Sequence, residues 1–134
     1  MKRAFIFISL LSLCLSGCNK EQETTIYGKW LRTWTTEFTI TGDVIWIEES
    51  PRYPFILDFK ANNIYYIIED MGIYPEGTFH FDARKRALVF EEYTRILYGS
   101  RTNDYEIQIV ELTSDFLWIK NKAGFEAKLK RFYQ

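Results

Sequence analysis

The chain has 134 residues, and 17 Lys and Arg stand against 18 Asp and Glu, for a formal charge of −1. That near-balance lacks the basic footprint of a nucleic-acid binder, and a hydrophobic content of 47% excludes a disordered chain. One histidine and two cysteines, neither cysteine beyond position 18, exclude most metal sites and most nucleophile–histidine machinery.

Met1-Lys2-Arg3 is a short basic start, and residues 4–15 form an apolar run broken only by Ser9, Ser12 and the weakly polar Cys14. As a helix this run spans about 18 Å, short of the roughly 30 Å hydrocarbon core. It predicts a secretory signal and not a permanent membrane span. Small residues follow in Leu15-Ser16-Gly17-Cys18. The quartet resembles the lipobox of bacterial lipoproteins. That resemblance implies a signal peptide over 1–17, cleavage before Cys18, a diacylglycerol on its sulfur and a fatty acyl group such as palmitate on the new amino terminus. A thiolate suits the role because it is the strongest nucleophile among common side chains. Several acyl chains also hold far more firmly than one.

Cleavage would leave 117 residues, near the usual size of one domain, with a charge of −3 once Lys2 and Arg3 are gone. It would also leave no free thiol and no disulfide, so packing and backbone hydrogen bonds must carry stability. Residues 18–25 read as the lipidated cysteine and a tether, able to reach about 25 Å when extended. An aspartate after the lipidated cysteine is the retention signal of enteric inner-membrane lipoproteins; Asn19 stands there instead, which favours the outer membrane. Lys20-Glu21-Gln22-Glu23 resembles the charged export tags of surface lipoproteins in Bacteroidetes-type bacteria, and reads equally as a solvated spacer.

From residue 26 to 134 the hydrophobic period is close to two and strand-favouring residues dominate. The predicted strands are 27–36, 37–40, 44–48, 55–59, 64–69, 77–82, 86–91, 105–111, 116–120 and 125–133. Turn signals separate them: Thr41-Gly42-Asp43, Lys60-Ala61-Asn62-Asn63, Pro75-Glu76, Arg84-Lys85, the polar stretch 99–103, Thr113-Ser114-Asp115 and Lys122-Ala123-Gly124. No stretch has a 3.6 period, and the loops are too short for crossover helices. The expected fold is all-β: an antiparallel up-and-down meander of about 8–10 strands closed into a barrel, with a two-sheet sandwich as the alternative. Closure removes exposed edges in a chain rich in aromatics.

Gly28-Lys29-Trp30 opens the first strand, and Phe125, Ala127, Leu129 and Arg131 share a face of the last by alternation. Arg131 can therefore meet Trp30 in a cation–π contact. Farther along come Phe59-Lys60-Ala61-Asn62-Asn63-Ile64-Tyr65, Gly77-Thr78-Phe79 and Leu112-Thr113-Ser114-Asp115-Phe116-Leu117. Together these resemble the lipocalin-like lipoproteins of Bacteroidetes. Lipocalins open with Gly-x-Trp, and a basic residue of their last strand packs across that tryptophan at the closed end. The resemblance implies a lipocalin-like barrel with Gly28, Trp30 and Arg131 as its structural motif. Gly28 and Trp30 also read simply as a bend and a core anchor.

Candidate chemistry is sparse. His80 shares a strand face with Thr78 and Asp82, but i and i+2 lie about 7 Å apart, too far for a direct hydrogen bond. The pairs Glu48-Glu49, Glu69-Asp70 and Glu91-Glu92 put neighbours on opposite faces, so none is a ready-made dyad. Acid–base work would have to come from His80 or from carboxylates such as Asp58 and Glu69. Arg84-Lys85-Arg86 reads as a solvated turn, and Pro51-Arg52-Tyr53-Pro54 as a shaped loop. Of the four tryptophans, nine tyrosines and eleven phenylalanines, most read as core. Outer ones such as Trp34, Trp46 or Tyr53 can instead form a platform for a glycan or protein.

The expectation is a lipid-anchored, non-enzymatic envelope protein that holds a small apolar ligand in its mouth, with no cofactor, metal or nucleic acid. Such a binder needs a lined cavity of at least about 300 Å³ open at one end, and an interior filled by aromatic side chains would remove this reading. The alternative is a cell-surface module contacting a protein or glycan through loops or an aromatic patch.

Overall fold

The computed structural model describes residues 25–70, 72–97 and 104–133, with the side chain of Tyr93 excepted. The signal segment 1–17 and Cys18 lie outside the described residues, as does most of the tether.

The fold is all-β and antiparallel. Its strands are β1 (Gly28–Phe38), β2 (Val44–Glu48), β3 (Ile56–Phe59), β4 (Ile64–Glu69), β5 (Gly72–Asp82), β6 (Ala87–Thr94), β7 (Asp104–Leu112), β8 (Phe116–Lys120) and β9 (Glu126–Arg131). From β3 to β9 each strand pairs with the next, and β9 returns to β1, which also pairs with β3. Eight strands thus close a barrel, and β2 lies outside it. The two halves of β1 divide its one edge: Gly28–Leu31 face β3, while Trp34–Phe38 face β2. The β1–β2 hairpin therefore projects past the barrel wall as an arm.

Closure defines two ends. Gly28, Phe59, Ile64, Asp82, Ala87, Leu112, Phe116 and Arg131 lie toward one end, and the β1–β2 arm, the 49–55 loop and the β8–β9 turn toward the other. An eight-stranded barrel is just wide enough for side chains to fill, and here they do. Trp30, Leu57, Ile67, Leu88, Ile107, Leu117, Ile119 and Leu129 are completely buried. Phe59, Tyr65, Phe79 and Phe90 form a chain of tilted and edge-on rings with centroids 4.9 to 6.2 Å apart. Such geometry matches ring edges to ring faces. The Tyr65 hydroxyl, carried into this core, hydrogen-bonds Thr94 Oγ1 at 2.8 Å, and burial raises its pKa above the usual tyrosine value.

Two predicted boundaries need correction. Residues 27–36 and 37–40 are not separate strands: β1 runs unbroken through Thr36 and Glu37, and a bulge at Thr33 bends it without ending the ladder. Pro75-Glu76 does not end a turn either. β5 passes through both, with Pro75 opposite Tyr66 and Gly77 opposite Tyr65, so Glu76 is the extra residue of a bulge. A bulge is one of the few places where a sheet tolerates proline.

Candidate ligand-binding site at the open end

The site begins with one interior arginine. Trp30 and Arg32 are two apart on β1, so both side chains enter the barrel. Arg32 is 2% exposed. Its Nε donates to Glu49 Oε1 at 2.5 Å and its Nη1 to the Ile96 carbonyl at 2.7 Å. Its guanidinium carbon sits 3.7 Å from the centroid of the Phe55 ring. A charge this deep demands a counter-charge and hydrogen bonds, since desolvation alone costs several kcal/mol. Burial raises the Glu49 pKa, and the attraction and hydrogen bond of Arg32 oppose that rise.

The backbone fixes this pair in place. Glu49 N donates to the Thr33 carbonyl and Arg32 N to the Phe55 carbonyl, both at 2.9 Å. The 49–55 loop is thus stapled at both ends to adjacent residues of β1. Within it Tyr53 N closes a turn on the Ser50 carbonyl at 3.2 Å, and Arg52 N bonds Ser50 Oγ at 3.2 Å. Arg32, Glu49, Phe55 and Ile96 together plug the barrel interior.

Above the plug lies a cleft of about 610 Å³. Thr35, Thr36, Glu37 and Phe38 of β1 line it, with Ile47 and Glu48 of β2, Glu49, Ser50 and Tyr53 of the loop, and Phe125 before β9. Thr36 holds the β9 wall, its hydroxyl accepting from Glu126 N at 2.8 Å. Phe125 meets Phe38 edge to face at 4.8 Å. Tyr53 is 60% exposed and Phe38 43%. A ligand cavity inside the barrel is therefore not found among the described residues: aromatic and aliphatic side chains fill the interior, and the open volume is the cleft at the rim.

The outer wall gathers the tryptophans. Trp34 lies opposite Lys128, and Lys128 opposite Trp118. The Lys128 ammonium is 4.4 Å from the Trp46 ring and 4.9 Å from the Trp118 ring, whose Nε1 donates to Glu126 at 3.0 Å. A cation between two indoles ties the arm to β8 and β9.

At the closed end the Arg131 guanidinium lies 3.7 Å from the Trp30 ring centroid. It also donates to the carbonyls of Tyr27 at 2.7 Å, Thr25 at 2.9 Å and Ser114 at 3.0 Å. Trp30 Nε1 donates to the Ile26 carbonyl at 2.8 Å. Gly28 has φ +114°, and a Cβ there would stand 3.0 Å from Arg131 Nη1. The glycine is required by both its left-handed backbone and the arginine above it.

The other candidate residues do not converge. His80 is exposed on β5, and Asp82 Oδ1 accepts from Arg84 N and Lys85 N at 3.0 and 3.1 Å, an ordinary turn role. Asp58 pairs with Lys60 at 2.8 Å, and Glu69 and Glu76 share Arg95. Among the described residues no group of three or more His, Cys, Asp or Glu could hold a metal ion. The residue that sequence reasoning missed is Arg32. Its signal was the shared parity with Trp30, which places it inside.

In comparisons with known proteins, no family model, no curated protein and no solved structure matches this chain.

Proposed function

We propose that this protein is a small envelope lipoprotein, anchored through Cys18, that binds a small molecule in the cleft at its barrel mouth and catalyses nothing. The observation that carries the reading is the 610 Å³ cleft, walled by three aromatic rings and lined by Glu49, whose carboxylate is held from the interior by Arg32. Its volume lies within the usual range for ligand pockets. Exposed aromatics on concave walls gain most from an occupant that removes them from water.

The anchor reading adds a direction. Thr25 is held at the closed end by Arg131, so a tether from Cys18 would enter opposite the cleft. The mouth would then face away from the bilayer. Titrating the soluble domain with the neutral fluorophore N-phenyl-1-naphthylamine tests the binding reading. Enhanced emission in the native protein that is lost in Ile47→Trp, which fills the cleft, supports it. Unchanged emission with the native protein contradicts it.

The second reading, an interaction surface, draws on the arm. Among the described residues β2 pairs with β1 alone, and Phe38, Ile40, Val44 and Ile45 on the hairpin are each at least 43% exposed. An open edge with apolar neighbours suits strand addition by an extended partner. Protection of the β2 amides from hydrogen exchange on intact cells, but not in the isolated domain, would favour that reading.

A further inference from the structure

The charge on the arm is one-sided. Residues 33–51 contain Glu37, Asp43, Glu48 and Glu49 and not one lysine or arginine. The whole chain is nearly neutral, so this segment departs sharply from the rest. Glu37, Glu48 and Glu49 all line the cleft. Behind Glu49, inside the barrel, Arg32 donates to that carboxylate and to the Ile96 carbonyl. Among the described residues neither Glu37 nor Glu48 has an ion-pair partner. By register Glu48 shares one face of the β1–β2 sheet with Trp34, Trp46 and Lys128, while Glu37 shares the other with Thr35 and Ile47; Lys128 lies over Trp46, and Arg52 lies 5.7 Å from the centroid of the Tyr53 ring that lines the cleft. The cleft thus combines surplus negative charge with the rings of Phe38, Tyr53 and Phe125.

Resting on the binding role proposed above, we infer that the ligand is an organic cation: an amine or quaternary ammonium carried on an aromatic or apolar body. Each part of the cleft has a matching part in such a molecule. Carboxylates at the rim accept charge-assisted hydrogen bonds or contact a quaternary head, and such bonds are roughly twice as strong as neutral ones. Aromatic faces attract a cation through their quadrupole and cover an apolar body. An anionic amphiphile of the same shape meets like charge from Glu37 and Glu48, which builds selectivity into the wall.

The test uses N-phenyl-1-naphthylamine as the reporter and two competitors of nearly the same shape, tryptamine and indole-3-propionate. The expected result is displacement by tryptamine at about tenfold lower concentration than by indole-3-propionate, the worth of one charged contact. The preference should shrink with added salt and fall to about threefold or less in the Glu37→Gln/Glu48→Gln variant. Equal displacement by both indoles, with the reporter bound, overturns the charge inference and leaves the binding role standing. Failure of the reporter to bind the native protein overturns both. The comparison of the two indoles on the native protein needs no variant, so a folding defect in the double substitution cannot blur the outcome.

Discussion

Arg32 shows how much one buried charge constrains. Its guanidinium has a carboxylate, a carbonyl and a ring face within reach, and the loop that brings Glu49 is stapled to its own strand. Removing one partner leaves the other charge uncompensated, which is costlier than the pair is worth. Glu49→Gln should destabilise the domain by about 3 kcal/mol, the low end for buried pairs because the Glu49 side chain keeps 12% exposure. The double variant Arg32→Met/Glu49→Gln should lose less than the single one, as urea denaturation of both will show. Tyr65 offers a second residue-scale test. Its pKa is raised by burial, so its contribution is complete below the unfolded value near 10. It is lost as pH rises through the higher folded value. Tyr65→Phe should cost about 1 kcal/mol at neutral pH through the bond to Thr94. Its stability should then decline less steeply than that of the native protein above pH about 10.

Among the elements, the closed end is a clasp of β1 and β9 on one arginine. Three carbonyls and an indole receive Arg131. Lysine keeps the charge but cannot supply the planar fork, so Arg131→Lys should destabilise by about 1–2 kcal/mol. Hydrogen exchange should then speed up first at residues 25–30. Gly28→Ala should act on the same clasp, by strain at φ +114° and by crowding Nη1. Much of this scale was legible in the sequence. Alternation put Arg131 on a shared face with Leu129, and the turn residues marked most strand ends. Local signals failed where long-range pairing decides. Pro75 reads as a turn until a bulge against Tyr65 and Tyr66 absorbs it, and the bend in β1 has no glycine or proline to announce it. The cleft was illegible for the same reason. Thr35, Glu49, Tyr53 and Phe125 meet only because β9 closes onto β1 while β2 swings away from β3.

For the whole molecule, the two ends do different work. One end receives the chain and is locked by Arg131; the other carries the arm, the plug and the cleft. Among the described residues packing fills the barrel between them, so the proposed ligand site lies at the rim. A lipid on Cys18 would add a fixed orientation, and Cys18→Ala should move the protein out of the membrane fraction after a high-salt wash. Retention of that variant on membranes would contradict the anchor. The most direct measurement of the central claim is native mass spectrometry of the protein purified from its own host, beside Ile47→Trp prepared identically. The account predicts a noncovalent adduct of small mass on the native protein and none on the variant. Bare protein in both preparations, or the same adduct on each, would contradict a binding cleft at the barrel mouth.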